Sequence, residues 1–286
     1  MRLKIVERLC QQTRNKMNSS DTQQLNKLLA SMEPISLEQM KSIRLMKRTD
    51  QKYVTTVSRL LDLLKLTRED YYVQEIAEKR IASYRTVYWD NPQGHPFFHN
   101  HQRGALPRTK VRARTYVDSN LSFLEIKKKN NHGKTSKKRI TVSNIDSVCR
   151  GEEGAFFVQE QTGLDLGDLC PSVGNRFHRV TLVNKGRTER LTIDFDLQFD
   201  NFETGRQATL DDIVVVELKR DGRVYSPILA MLRQLRIMPS GFSKYCMGMC
   251  YTGESLRINR FKVRLTRVKK ICQRATYVKP SDNKEI

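Results

Sequence analysis

The chain has 286 residues, with 52 Lys plus Arg against 31 Asp plus Glu, a formal net charge of +21, and 38% hydrophobic residues. That hydrophobic share supports a folded core and excludes a disordered chain, and the length is within reach of a single β-barrel domain. The charge points to a polyanionic partner: nucleic acid, an anionic membrane surface or a phosphate-rich small molecule.

Residues 1–24 are polar, basic and turn-rich after Cys10, and read as a loosely held lead-in. The start, MRLKIVERLC, lacks the apolar run of a signal peptide, and no stretch approaches the ~20 apolar residues of a membrane span. The chain therefore reads as soluble and cytoplasmic. Residues 25–45 read as mostly helical, from Leu25, Leu28 and Leu29 and then a helix start in PISLEQM. In VSRLLDLLKL, Val57, Leu60, Leu61 and Leu64 form the i, i+3, i+4, i+7 stripe of an amphipathic helix.

Short β-rich runs follow: YYVQEI, YRTVYWD, KVRARTYV, LSFLEIKKK, KRITVS, FHRVTLVN, ERLTIDFDL and IVVVELKR. Turn-rich segments such as DNPQGHP and NNHGK separate them, and His95, His99 and His101 are placed in a polar loop. SPILAMLRQLRI reads as a helix. SLRINRFKVRLTRVKKI reads as a basic helix docked through Leu256, Ile258 and Phe261, its charged face solvated. The expected organisation is a lead-in over 1–32, a main domain over 33–254 and a basic helix and tail over 255–286.

The six cysteines form no CxxC pair and read as reduced thiols. Cys246 and Cys250, one helical turn apart in SKYCMGMCY, read as a packed helix face rather than a metal pair. No histidine is assigned to zinc.

The informative signal is which residues alternate, because i, i+2 and i+4 of a strand face one side. Arg48, Asp50 and Lys52 share a side, as do Lys110, Arg112 and Arg114; Glu125, Lys127 and Lys129; and Val215, Glu217 and Lys219. Arg190, Thr192, Asp194 and Asp196 are expected on one side, opposite Leu191, Ile193, Phe195 and Leu197. A single strand of this kind is ordinary, with charges out and apolar residues in. The set differs because its charged faces are mainly cationic with carboxylates interspersed, and its other faces are apolar (Val111, Leu124, Ile126, Val214, Val216). A barrel with helices outside would then turn its cations inward, which costs free energy unless a polyanion and metal ions occupy the lumen.

The ordered set RTDQKY, YRTVYWDN, KVRARTY, LEIKKK, ERLTIDFDL, VVVELKRDG and GFSKY resembles the catalytic domain of the vacuolar transporter chaperone (VTC) polyphosphate polymerases, over roughly residues 33–252. That family belongs to the triphosphate tunnel metalloenzymes, which also resemble class IV adenylyl cyclases and thiamine triphosphatases. The resemblance implies an α+β fold: a closed, eight-stranded antiparallel β tunnel with helices packed outside. It also implies a nucleoside triphosphate held by its phosphates, with Mn²⁺ or Mg²⁺.

Carried over residue by residue, Lys52 matches the first tunnel lysine, with Arg48 leading in. Arg112 and Arg114 match the pair that grips the phosphates. Lys127 matches the lysine of the E-x-K strand, and one of Lys137, Lys138 or Arg139 supplies the next cation. Arg179 and Arg190 match two later arginines. Glu217, with Lys219 beside it, matches the metal-binding glutamate, and Glu125 is the second metal candidate. Lys244 matches a lysine that closes on the substrate. The chain departs from the pattern at Gly241, where eukaryotic members carry a basic residue, and at Arg48-Thr49-Asp50-Gln51-Lys52, which replaces E-x-E-x-K. No membrane segment or inositol-phosphate sensing domain is recognised, so neither translocation nor that regulation is expected.

The implied activity is transfer of the terminal phosphate of ATP to a growing polyphosphate chain, with no specific nucleic-acid partner. A terminal phosphate oxygen is already an anionic nucleophile and needs no general base. The alternative in the same tunnel is hydrolysis of a triphosphate or polyphosphate, with Glu125 or Asp194 as a possible base. A second alternative is a non-catalytic nucleic-acid or polyanion binder, which leaves unexplained why carboxylates share strand faces with the cations.

Overall fold

Each run expected to be extended between residues 48 and 221 forms a strand in the computed structural model, which describes residues 17–41, 43, 48–149, 151–222 and 224–275. In chain order the elements are α1 (Ser19–Ala30), β1 (Pro34–Ser36), α2 (Leu37–Lys41), β2 (Arg48–Thr56), α3 (Val57–Thr67), β3 (Tyr71–Glu75), β4 (Ala82–Asp90), α4 (Pro96–Arg103), β5 (Arg108–Tyr116), β6 (Leu121–Lys129) and β7 (Thr135–Val142). They continue with α5 (Glu152–Thr162), β8 (Cys170–Asn184), β9 (Glu189–Asn201), β10 (Gln207–Leu210), β11 (Ile213–Asp221), α6 (Pro227–Gln234), α7 (Lys244–Thr252) and α8 (Lys262–Ala275).

Eight strands run in the hydrogen-bonded order β2-β11-β9-β8-β4-β5-β6-β7, each antiparallel to its neighbours. The expected α+β class holds, but the sheet has eleven strands rather than eight, because β3 also pairs with β8, β10 with β9 and β1 with β3, and the expected closed barrel does not form. Strands β2 and β7 are the two ends of the path and do not pair with each other. The free edge of β2 is taken up instead by the segment before α7: Tyr53 bridges Pro239, and the Ser240 N–H donates to the Lys52 carbonyl at 2.7 Å. The β7 edge, TSKKRITV, is largely exposed and charged, and Lys along an edge disfavours further pairing.

One face of the sheet is apolar and carries the helices. Leu191, Ile193, Phe195, Val214 and Val216 pack with Leu60 and Leu64 of α3 and with Ile228 and Leu232 of α6. Farther along, Val111, Leu124 and Ile126 pack with Phe157 and Val158 of α5. Each such side chain, fully buried, contributes about 1.5–3 kcal/mol. The other face is concave, and a bulge divides it. Asp196 adopts φ 53° and the β8–β9 register shifts between Arg176 and His178. Leu197 and Phe199 therefore turn to the side of Phe177 and Val173, within the same cluster as α7. Asp196, expected beside Asp194, lies on the opposite side, 3.5 Å from His178 Nε2. At Gly248 a Cβ would come within 2.8 Å of Phe199 Cδ1 and 2.9 Å of Val173 Cγ2, so glycine lets α7 seat directly on this half.

Three local expectations change. Helix α1 starts at Ser19, capped by Asn18, which accepts from the Asp21 N–H at 2.6 Å, and residues 34–36 form a strand parallel to β3. His99 and His101 lie on a helix, not in a loop: Pro96 opens α4, and Asp90 accepts from the Phe97 and Phe98 N–H groups at 3.0 and 2.9 Å. The C-terminal helix begins at Lys262 rather than Ser255, with Phe261 and Val268 buried. Among the described residues, no helix is long and apolar enough to cross a membrane, a statement that leaves strands aside.

Candidate functional site

The charged half of the concave face is organised around three carboxylates, each holding two cations. Glu217 of β11 pairs with Lys52, its cross-strand neighbour on β2, and with Lys219 at 3.5 Å. Glu125 of β6 pairs with Arg112, opposite it on β5, at 2.6 Å, and with Lys137 of β7. Asp194 of β9 accepts from Arg179, opposite it on β8, at 2.5 and 2.8 Å, and from Lys244 at the start of α7. Strand pairing thus places each acid beside a cation on the adjacent strand. A second cation comes from β7, from α7 or, for Glu217, from two residues along its own strand, and alternation aims all of them at the same side.

An aromatic floor supports the cations. Tyr84 and Phe177 stack with centroids 5.1 Å apart. Arg114 lies 5.5 and 5.7 Å from these rings and Arg179 5.0 and 5.4 Å, while Lys244 Nζ is 4.1 Å from Phe177. Arg114 also donates to Thr86 Oγ1 at 3.1 Å. A cavity of about 740 Å³ opens at the gap between β2 and β7, with Lys52, Lys110, Lys127, Arg108 and Lys129 in its wall.

Charge and burial set the protonation states. Burial alone would raise the Glu217 carboxyl, but Lys219 and Lys52 bring it down to about 2. Burial likewise opposes Arg112, Arg114 and Lys137 at Glu125, and the cations win, again at about 2. Asp194 is held far below the usual carboxylate range by Arg179 and Lys244. The amines move the other way. Burial pulls Lys219 down to about 8, and burial together with Arg179 pulls Lys244 down to about 7 despite Asp194. Burial and the adjacent cations lower Lys110 and Lys127 as well.

The structure therefore brings together Lys52, Arg112, Arg114, Lys127, Arg179, Lys219, Lys244, Glu125 and Glu217 on one face. Arg190 is half-buried and opposite Lys219. On β7, Lys137 reaches Glu125 and Arg139 stacks 4.4 Å from the Phe123 ring, so both lie on the lumen side. Lys138 is exposed, across from Ile126 on the other face, and leaves the site. Arg48 begins β2 opposite Asp221, but its side chain is outside the described residues. Sequence reasoning missed Tyr84 and Phe177 as the floor and Asp194 as a clamp, although Phe177 alternates in phase with Arg179 and Asp194 with Arg190.

Among the described residues, no three His, Cys, Asp or Glu side chains converge as a metal cluster. Glu217 supplies a single hard oxygen-donor carboxylate, paired here with Lys52 and Lys219.

Among solved structures, the chain is similar to a putative adenylate cyclase from Vibrio parahaemolyticus (11% identity, TM-score 0.41, covering 71% of this chain and 99% of that one). It is also similar to a putative adenylyl cyclase from Hippeastrum described as having a dominant triphosphatase activity (15% identity, TM-score 0.46, covering 72% and 97%). These likenesses are remote. No curated protein matches the sequence. The VTC domain model matches residues 47–252, most of the chain and the whole eight-stranded path, and the chain belongs to the VTC domain family.

Proposed function

We propose that this chain is a metal-dependent polyphosphate polymerase that transfers the terminal phosphate of ATP to a growing polyphosphate chain on its concave face. The observation that carries this is the clustering of three clamped cation pairs with Arg114, Lys110 and Lys127, for which no ion pair is found among the described residues. Such an array is costly when empty and suits a dense linear polyanion. Arg112 and Arg179 offer planar forks for phosphate oxygens, and the lysines act as point charges. Glu217 would hold Mn²⁺ or Mg²⁺, which when bound neutralises charge on the phosphates.

Phosphoryl transfer between phosphates asks the protein for alignment and charge, not for a base. Glu125 and Asp194 fit that division of labour: both are committed to cations and held far below neutral, which makes them poor proton acceptors near pH 7. One observation favours hydrolysis as the second possibility. The Lys244 amine, lowered to about 7, has a well-populated neutral form near neutrality that could accept a proton from water. The test is a polyacrylamide gel of the products from ATP and Mn²⁺. A lengthening polyphosphate ladder with ADP supports the polymerase. Orthophosphate alone supports hydrolysis, and no turnover with tight RNA binding overturns both.

A further inference from the structure

The mouth of the concave face is not built from strands alone. Arg260 and Arg264 line the same cavity as Lys127 and Lys129, yet they lie beyond residues 47–252 that the family matches. The C-terminal segment is firmly seated there. Phe261 is buried with its ring 5.7 Å from Phe98, and Arg264 lies 5.6 Å from the Phe261 ring. Arg267 donates to the Pro239 and Met238 carbonyls at 2.9 and 3.0 Å, which ties α8 to the segment that edges β2.

Two glycines make room for the guanidinium groups. A Cβ at Gly104 would coincide with Arg260 Nη1, at 1.7 Å, although the φ of +73° there favours glycine in any case. Gly241 carries no such backbone requirement. A Cβ there would press on the Arg264 guanidinium at 3.3 Å, so Arg264 occupies the space beside a residue without a side chain. Position 241 is also where the chain departs from the family it resembles, whose eukaryotic members carry a basic residue there. Among the described residues, no ion pair neutralises Arg260, Arg264 or Lys129.

We infer that Arg260 and Arg264 form an outer anion subsite, contributed by the C-terminal segment, that holds the phosphates of a chain too long for the inner clamps. This rests on the inner face gripping a triphosphate. A linear polyphosphate presents the same charged unit at each step, so guanidinium groups at the mouth add affinity for long chains and leave a short one untouched. The subsite would keep a growing chain attached between additions.

The experiment compares binding of tripolyphosphate and of long-chain polyphosphate by titration calorimetry at several salt concentrations. It uses the full chain, the Arg260→Ala/Arg264→Ala variant, and Arg264→Ala with Gly241→Lys. The double variant is expected to bind tripolyphosphate within about twofold of wild type and long chains roughly tenfold or more weakly. Its salt slope for long chains should fall by roughly 0.7 per lost phosphate contact, and Gly241→Lys should restore part of the long-chain affinity. Unchanged long-chain binding, or equal loss for both ligands with the fold intact, overturns the subsite. If the double variant fails to fold, Arg264→Gln, which keeps the stem over Phe261, carries the same comparison. Failure of the wild-type chain to bind tripolyphosphate instead overturns the proposed function.

Discussion

Lys244, at the first turn of α7, donates to Asp194 in the middle of β9, and Asp194 simultaneously accepts from both Nε and Nη2 of Arg179. The carboxylate is almost fully buried, at 5% side-chain exposure, so it cannot call on solvent to offset either cation. Asp194→Asn would leave two buried cations facing each other. It should lower stability on the order of 3 kcal/mol, read as a shift in the urea midpoint. Tripolyphosphate should recover part of that loss by binding the folded state. An unchanged midpoint would mean that Asp194 does not hold the cations together.

The lowered amines give a pH dependence with a definite sign. Lys244 at about 7 and Lys219 at about 8 lose charge well below the ordinary lysine value of 10.5. A bound polyanion favours the protonated amines, so binding takes up protons. Tripolyphosphate affinity should therefore fall as pH rises from about 7 to 9, with up to one proton taken up per lysine. Stability of the free protein moves the other way. Because folding lowers these pKa values, their unfavourable contribution fades as pH rises above 7 and is gone near 10.5. The carboxylates contribute the opposite term, present above the ordinary carboxylate range and lost as pH falls toward about 2. Calorimetry in buffers of different ionisation enthalpy measures the proton uptake directly, and release or no exchange of protons would refute it.

Glu217→Gln separates metal use from anion binding. It removes negative charge from a cationic face and frees Lys52 and Lys219. Metal-free tripolyphosphate binding should hold or tighten, while metal-dependent turnover falls by a hundredfold or more, on the order of 3 kcal/mol. If the variant keeps its Mn²⁺ dependence, the ion sits elsewhere, and Glu125 is the next carboxylate to change.

The phase of β7 gives a paired test. Lys137 reaches Glu125 on the lumen side, whereas Lys138 is exposed across from Ile126 on the other face. Lys137→Ala should weaken tripolyphosphate binding several-fold, and Lys138→Ala should leave it within about twofold, given that exposed charges away from a ligand contribute little. Equal losses would place the register of β7 in error.

Much of this face was legible in the sequence because alternation is a local property. Strands β2, β5, β6, β9 and β11 each announced a charged side, and the apolar sides of Val111, Leu124, Ile193 and Val216 announced the helices' packing surface. Non-local facts were not legible. Closure depends on whether β2 and β7 meet, and here Pro239 and Ser240 take the β2 edge. The β9 bulge breaks strict alternation at Asp196, where a φ of 53° sends one acid outward and turns Leu197 inward. In TSKKRITV three consecutive basic residues give no phase by themselves; only pairing to Glu125 and Ile126 sets it. Nor could spacing show that Arg264, in a segment read as a solvated helix, returns to the mouth beside Gly241.

The central claim is that the clamped cations bind the phosphates of a triphosphate. It is tested most directly by titrating tripolyphosphate into the wild-type chain and into Arg112→Ala and Arg114→Ala. Glu125 keeps Lys137 when Arg112 is lost, and the floor of Tyr84 and Phe177 keeps Arg179 when Arg114 is lost, so both variants should retain wild-type circular dichroism. Each lost charged hydrogen bond should cost roughly 1.5–3 kcal/mol, about ten- to a hundredfold in affinity. A wild-type chain that ignores tripolyphosphate, or folded variants that bind it as tightly as wild type, would contradict the assignment of this face as the phosphate site.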